Sequence, residues 1–75
     1  MTLDKVAMDV PARITGFSGV GEAEQLRLSS HGISAGAVIT KLLRAPLRDH
    51  IECLVGPQLL TLDAALLSRI LVEER

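Results

Sequence analysis

The sequence predicts a small all-β domain, a barrel of about five short strands with one helix after the first strand and a short helix before the last. The chain has 75 residues, of which 48% are hydrophobic and only one is aromatic, so its core must be compact and aliphatic. Short runs of β-forming residues alternate with glycine and proline turn signals. A barrel is favoured because it removes the exposed edges that a flat sheet of such strands would leave.

The strand candidates are bounded by recognisable turns and caps. They cover residues 12–17, 37–45, 51–55, 58–62 and 70–73. Gly56 and Pro57 predict a tight turn, and Asp63 is a good N-cap for one or two helical turns over residues 64–68. Residues 1–11 are expected to form a loop with a helical turn.

The helix predicted over residues 22–31 has a well-defined end. If Gly32 adopts the left-handed conformation just past the helix, Leu28 and Ile33 take the positions whose hydrophobic contact accompanies a Schellman cap. Gly36 follows as a second turn glycine before the next strand. These four residues are therefore expected to be structural.

Composition excludes several classes of function. A formal net charge of −1 and the near absence of aromatic residues argue against nucleic-acid binding, which depends on clustered positive charge and base stacking. No apolar run approaches the roughly 18 residues needed to span a bilayer. A single cysteine excludes an intramolecular disulfide and favours a reducing cytoplasm. We expect a single cytoplasmic domain over residues 1–75.

No motif indicates catalysis. The glycine-rich stretch at residues 16–21 lacks the spacing of a P-loop or of a dinucleotide fingerprint. Ser29, Ser30 and His31 are contiguous at a helix end and lack the context of a nucleophile elbow. An enzyme is the least supported class.

Three residues have side chains that bind transition metals, His31, His50 and Cys53, and would suit zinc or ferrous iron. Side chains three apart on a strand point to opposite faces, so His50 and Cys53 cannot converge on one ion without a bulge. Cys53 shares its face with Ile51 and Val55, which is typical of a buried small hydrophobe. We therefore expect no resident cofactor, although weak binding of Fe²⁺ or Zn²⁺ stays open.

The loop between the second and third strands carries an apolar residue at its tip. Leu47 is flanked by Arg44 and Arg48. Either Leu47 folds back over the mouth of the barrel, or it anchors a partner protein, because interface cores favour apolar residues with arginine close by.

Gly32, Ile33 and Gly36 look like an L-G-[LIM]-x-P-G turn, and residues 38–49 look like a strand followed by A-P-L-G-D-P. These are motifs of the FeoA family of ferrous iron transport accessory proteins, which nearly the whole chain resembles. Residues 60–72 resemble its L-S-L-R-x-x-E-A-x-x-I-x-V ending. The chain departs from these patterns at four positions: His31, Ala35, Arg48 and His50.

The resemblance implies an SH3-like barrel in the bacterial cytoplasm that works with the membrane transporter FeoB and its cytosolic GTPase domain, and it does not imply an enzyme. The expected partner-binding residues are Arg44, Ala45, Pro46, Leu47, Arg48 and Asp49. A metal-binding or metal-sensing domain is the alternative. A proline-rich peptide groove would need aromatics that this chain lacks, and self-association stays open.

Overall fold

The computed structural model describes residues 1–42 and 49–74, which form five strands, one α-helix and two 3₁₀ segments. The strands are β1 (Ala12–Phe17), β2 (Val38–Lys41), β3 (His50–Val55), β4 (Gln58–Asp63) and β5 (Ile70–Glu74). The helix α1 is Glu22–Ser30. The first 3₁₀ segment is Leu3–Lys5 and the second is Ala64–Arg69.

The second strand is the one whose predicted extent differs most from the structure. It was expected over residues 37–45, but β2 begins at Val38 and ends at Lys41. Leu42 still donates its N–H to the carbonyl oxygen of Glu52 at 2.9 Å. The rest of the predicted strand and the tip of its loop, residues 43–48, lie outside the described residues.

All five strands belong to one antiparallel sheet with the order β4-β3-β2-β1-β5. The all-β class is therefore confirmed, but the expected closure into a barrel is wrong, because β4 and β5 are the two ends of this order and do not pair. The N-terminal segment lies along β5 instead: Thr2 forms a bridge with Leu71, and Val72 donates its N–H to the carbonyl oxygen of Met1 at 2.8 Å. It thus occupies backbone groups of β5 that β4 would need for closure.

The inward face of the sheet and both 3₁₀ segments enclose an aliphatic core. Its largest fully buried side chains are Leu3, Ile14, Ile33, Ile39, Ile70 and Cys53. Leu3 comes from the first 3₁₀ segment and Leu67 from the second, and the two segments pack against each other. The N-terminal segment is therefore part of the core.

The connections flanking β4 follow from local sequence. Gly56 has a φ of +57° and Pro57 requires a negative φ, a combination that suits a two-residue hairpin between β3 and β4. After β4, the carboxylate of Asp63 accepts a hydrogen bond from the Ala65 N–H at 2.9 Å. This cap satisfies one of the free amides that begin the second 3₁₀ segment.

Candidate protein-binding groove

An open groove of about 480 Å³ lies between α1, the end of β1 and the turn that follows the helix. Its apolar wall includes the half-buried Phe17, the buried Ile33 and the exposed Leu26. The polar lining consists of Glu22, Gln25, Ser29 and Ser34. Gly16 and Ala35 complete the groove.

The helix end positions the floor of the groove. Gly32 has a φ of +85°, Ile33 donates its N–H to the Leu28 carbonyl oxygen at 3.0 Å, and Gly32 donates to that of Ser29 at 2.9 Å. These are the two hydrogen bonds of a Schellman motif. Leu28 and Ile33 are both buried, so the cap fixes the helix end on the core.

The turn after the helix is held against β1 by backbone hydrogen bonds. Gly36, whose φ is +94°, donates its N–H to the carbonyl oxygen of Ile14 at 2.8 Å. Ile14 in turn donates to the carbonyl oxygen of Ala37 at 2.8 Å. The wall that carries Ser34 and Ala35 is therefore fixed relative to Phe17 across the groove.

The groove combines an accessible apolar surface with a negative rim. Leu26 is 73% exposed, and Phe17 is the sole aromatic residue of the chain. Glu22 is the one charged residue among the groove-lining residues that the structure describes. Interfaces favour an apolar centre with a polar rim, and a groove of this kind suits an apolar side chain with a cation beside it.

This groove was not predicted from the sequence. A signal was available, because Leu26 and Leu28 are two residues apart on a helix and so lie roughly 200° apart around its axis. With Leu28 held by the cap, Leu26 has to face away from the core. No pattern in the sequence indicated that Phe17 would lie across from it.

Of the expected partner-binding residues, the structure describes Asp49 alone. Asp49 is exposed, has a φ of +62°, and accepts a hydrogen bond from the Ala64 N–H through its carbonyl oxygen at 2.8 Å. The other five, Arg44, Ala45, Pro46, Leu47 and Arg48, lie outside the described residues. Their assignment stays a prediction.

The candidate metal ligands are dispersed. His31 is exposed at the end of α1, His50 is exposed at the start of β3, and Cys53 is fully buried in the core. Within residues 1–42 and 49–74, no three side chains of His, Cys, Asp or Glu are close enough to hold an ion.

Cys53 is predicted to make stability sensitive to alkaline pH. Burial raises the pKa of its thiol from 9.0 to about 11, against a smaller lowering by the Lys41 ammonium. A raised folded-state pKa stabilises the fold below pH 9, and this contribution is lost as pH rises toward 11. We expect about 1 kcal/mol less stability from this group at pH 10 than at pH 8. Urea unfolding should show that the free energy of unfolding falls less between pH 8 and pH 10 in Cys53→Ala than in the parent protein. An equal fall in both proteins would contradict the assignment of this effect to Cys53.

Lys41 was not singled out from the sequence, although it is the buried charged residue of the described chain, with 4% of its surface exposed. Its ammonium donates to the carbonyl oxygen of Asp4 at 3.4 Å, and its own carbonyl oxygen accepts from the Asp9 N–H at 2.6 Å. The pKa of Asp4 is lowered chiefly by a hydrogen bond from the Thr2 hydroxyl, with a smaller contribution from Lys41. Lys41 thus links the N-terminal segment to the end of β2.

A family model of the FeoA domain matches residues 1–74. The chain belongs to the FeoA family. This confirms the resemblance noted in the sequence, which covers the same span. Among the described residues of this FeoA protein, no helix is both long and apolar enough to cross a membrane. The comparison with curated proteins gives no match.

Solved FeoA structures share the fold. Iron(II) transport protein A from Clostridium thermocellum is 34% identical with a TM-score of 0.80; the match covers 99% of this chain and 45% of that one. This chain thus spans less than half of that protein. FeoA from Chlorobium tepidum is 30% identical with a TM-score of 0.85, covering 99% and 70% of the two chains.

A more distant FeoA, from Stenotrophomonas maltophilia, supports the fold assignment. It was determined in complex with zinc, is described as a procaryotic SH3 domain protein, and is 18% identical with a TM-score of 0.75, covering 97% of this chain and 89% of that one. At this identity the likeness bears on the fold alone. The SH3-like architecture is confirmed, with the sheet open as described above.

Proposed function

We propose that this FeoA protein is a cytoplasmic accessory factor of bacterial ferrous iron uptake, and that it acts by binding the cytosolic GTPase domain of FeoB. The observation that carries the proposal is the family match over residues 1–74, together with the relatedness to an iron(II) transport protein. In this role the chain is a binding module without chemistry of its own.

The proposed contact surface has two parts. One is the groove at Phe17 and Leu26, where an exposed leucine and an aromatic ring face a negative rim. The other is the loop of residues 44–49, assigned from its sequence. The two parts are linked in the sequence through β2, which has four residues.

Two substitutions test this surface by co-purification with the isolated GTPase domain, with and without a GTP analogue. Leu26→Glu should weaken capture at least about tenfold, because it places a second carboxylate beside Glu22 and removes an apolar anchor. Leu47→Asp should abolish capture. Leu26→Glu should leave the circular dichroism spectrum nearly unchanged, since Leu26 is largely exposed, and we expect the same spectrum from Leu47→Asp.

Ala65→Glu is the matched control, because it adds the same charge at an exposed site on the second 3₁₀ segment. It should be captured as the parent is. Unaltered capture of Leu47→Asp would contradict the loop assignment, and unaltered capture of Leu26→Glu would contradict the groove. Failure of the parent to bind would contradict the function itself.

Metal binding is the alternative function expected from the sequence, through His31, His50 or Cys53. In this chain the described ligand-type side chains do not converge. We expect calorimetric titration with Fe²⁺ under anaerobic conditions, or with Zn²⁺, to give no saturable heat. Saturable heat that disappears in His50→Ala would instead establish a site at the start of β3.

A further inference from the structure

The two edges of the sheet differ. The edge at β5 is covered by the N-terminal segment, through the Thr2–Leu71 bridge and the hydrogen bond from Val72 to Met1. Within residues 1–42 and 49–74, β3 is the one strand that pairs with β4, so no described strand lies at the outer edge of β4. Among the described residues, this edge is therefore open to a further strand.

Strand β4 lacks the usual features that keep an edge from pairing with another chain. Such edges commonly carry lysine, proline, a β-bulge or inward-pointing charge. Residues 58–63 contain no lysine, proline or glycine, and they pair with β3 in six consecutive register pairs without a bulge. The strand is therefore regular in its pairing with β3 and able to accept a neighbour.

The outer face beside this edge has an apolar end and an acidic end. Leu54 and Leu59 are register partners, 40% and 50% exposed. At the other end, Asp63 is exposed and lies opposite His50 of β3. Thr61 lies between the two ends, opposite Glu52. An incoming strand would therefore meet an apolar position and a negative position, four residues apart on β4.

A second copy of this chain is a poor occupant. If two β4 strands pair antiparallel with their core faces on the same side of the sheet, odd-numbered residues of one copy lie opposite odd-numbered residues of the other. In the register centred on Thr61, the acidic Asp63 lies opposite the apolar Leu59. In the register centred on Leu60, Asp63 lies opposite Pro57, which has no N–H to donate. Neither arrangement matches charge with charge.

We propose that β4 binds an extended segment of another protein, which adds to the sheet as a sixth, antiparallel strand. Read from its N-terminus, this segment carries Lys or Arg opposite Asp63, a polar residue opposite Thr61 and a large apolar residue opposite Leu59. Main-chain hydrogen bonds supply the affinity, and alternate side chains supply the specificity, as in other cases of strand addition. This surface is distinct from the groove and does not depend on the iron-uptake partner.

The test uses a capped synthetic peptide, Ser-Lys-Val-Thr-Val-Leu-Ser, titrated into the ¹⁵N-labelled protein. Saturable shifts of amide signals should be confined to β4 and its neighbour β3, and alternate β4 amides should gain protection from hydrogen exchange. Shifts confined to the groove, or no saturation at millimolar peptide, would overturn the proposal.

Two N-methylated peptides distinguish strand addition from nonspecific binding. One is methylated at the two valines and the other at threonine and leucine, so only one of them blocks the N–H groups that face β4. The peptide methylated at threonine and leucine should bind at least about tenfold more weakly than the parent peptide. The reason is that Ala64 donates its N–H toward β3, to the carbonyl oxygen of Asp49, so the backbone groups of Leu59, Thr61 and Asp63 point outward. The peptide methylated at the valines should bind within about threefold of the parent peptide. Equal effects of the two would overturn the proposal.

The basic position is tested with Asp63→Asn, because asparagine keeps the N-cap while removing the charge. The parent protein should prefer the lysine peptide over the same peptide with glutamine at that position by about two- to fivefold at low salt. Asp63→Asn should lose this preference and still bind both peptides. A preference that persists would contradict the register.

Discussion

Ile33→Ala is expected to lower the free energy of unfolding by about 2–4 kcal/mol. Ile33 is 1% exposed, and its N–H and side chain both take part in the cap that holds the end of α1 on the core. Truncation leaves a cavity in a domain whose whole stability is of the order of 5 kcal/mol. The melting temperature should fall by roughly 10 °C or more, which urea and thermal unfolding both measure.

Leu26→Ala is the matched control for this substitution. Leu26 is also an aliphatic residue of the groove, but 73% of its surface is exposed. Its truncation should change stability by no more than about 0.5 kcal/mol. If the two variants were equally stable, Ile33 would not be the residue that anchors the helix end.

Lys41→Glu is expected to cost about 3–5 kcal/mol or to prevent folding. The substitution buries a carboxylate at the place where the Lys41 ammonium donates to the Asp4 carbonyl oxygen. The new carboxylate is also repelled by the Asp4 carboxylate, which Lys41 attracts in the parent protein. Burying a charge without a partner is among the largest single-residue effects. Denaturant unfolding followed by circular dichroism measures it.

Lys41→Met keeps much of the aliphatic stem and removes the charge. It should stay within about 1 kcal/mol of the parent, because replacing a buried charge by an apolar group of similar shape is often nearly neutral. A loss in Lys41→Met as large as that in Lys41→Glu would show that the hydrogen bond to Asp4, and not the absence of a buried negative charge, is the decisive feature.

Local signals in the sequence account for much of the fold. The end of α1 could be predicted because a Schellman cap needs a glycine with positive φ and two apolar residues at fixed positions around it. Gly32, Leu28 and Ile33 meet these requirements. The Asp63 cap and the Gly56 turn were predictable for the same reason. Each depends on backbone requirements that few residues meet.

Features that depend on distant contacts could not be predicted. Whether the sheet is open or closed depends on which segment pairs with the edge of β5. Nothing near Leu71 in the sequence indicates that Thr2 pairs with it. The burial of Lys41 likewise depends on Asp4, 37 residues away. A lysine in a strand would ordinarily be assigned to the solvent face, although strict alternation places Lys41 on the same face as Ile39.

The candidate site divides in the same way. The loop of residues 44–49 was assigned because its sequence matches a family pattern, which needs no structure. The groove arises from the packing of a helix against the end of a strand that precedes it, so its two sides, Phe17 and Leu26, are separated by a turn in the sequence. Only the exposure of Leu26 could have been anticipated.

We propose that this FeoA domain binds the cytosolic GTPase domain of its cognate FeoB. Titration of that unlabelled domain into the ¹⁵N-labelled protein, read from backbone amide signals, measures this binding directly. We expect saturable changes at Phe17, Leu26 and Ser34 of the groove, greatly reduced in Leu26→Glu. Spectra that remain unchanged at saturating GTPase domain, in every nucleotide state, would contradict it.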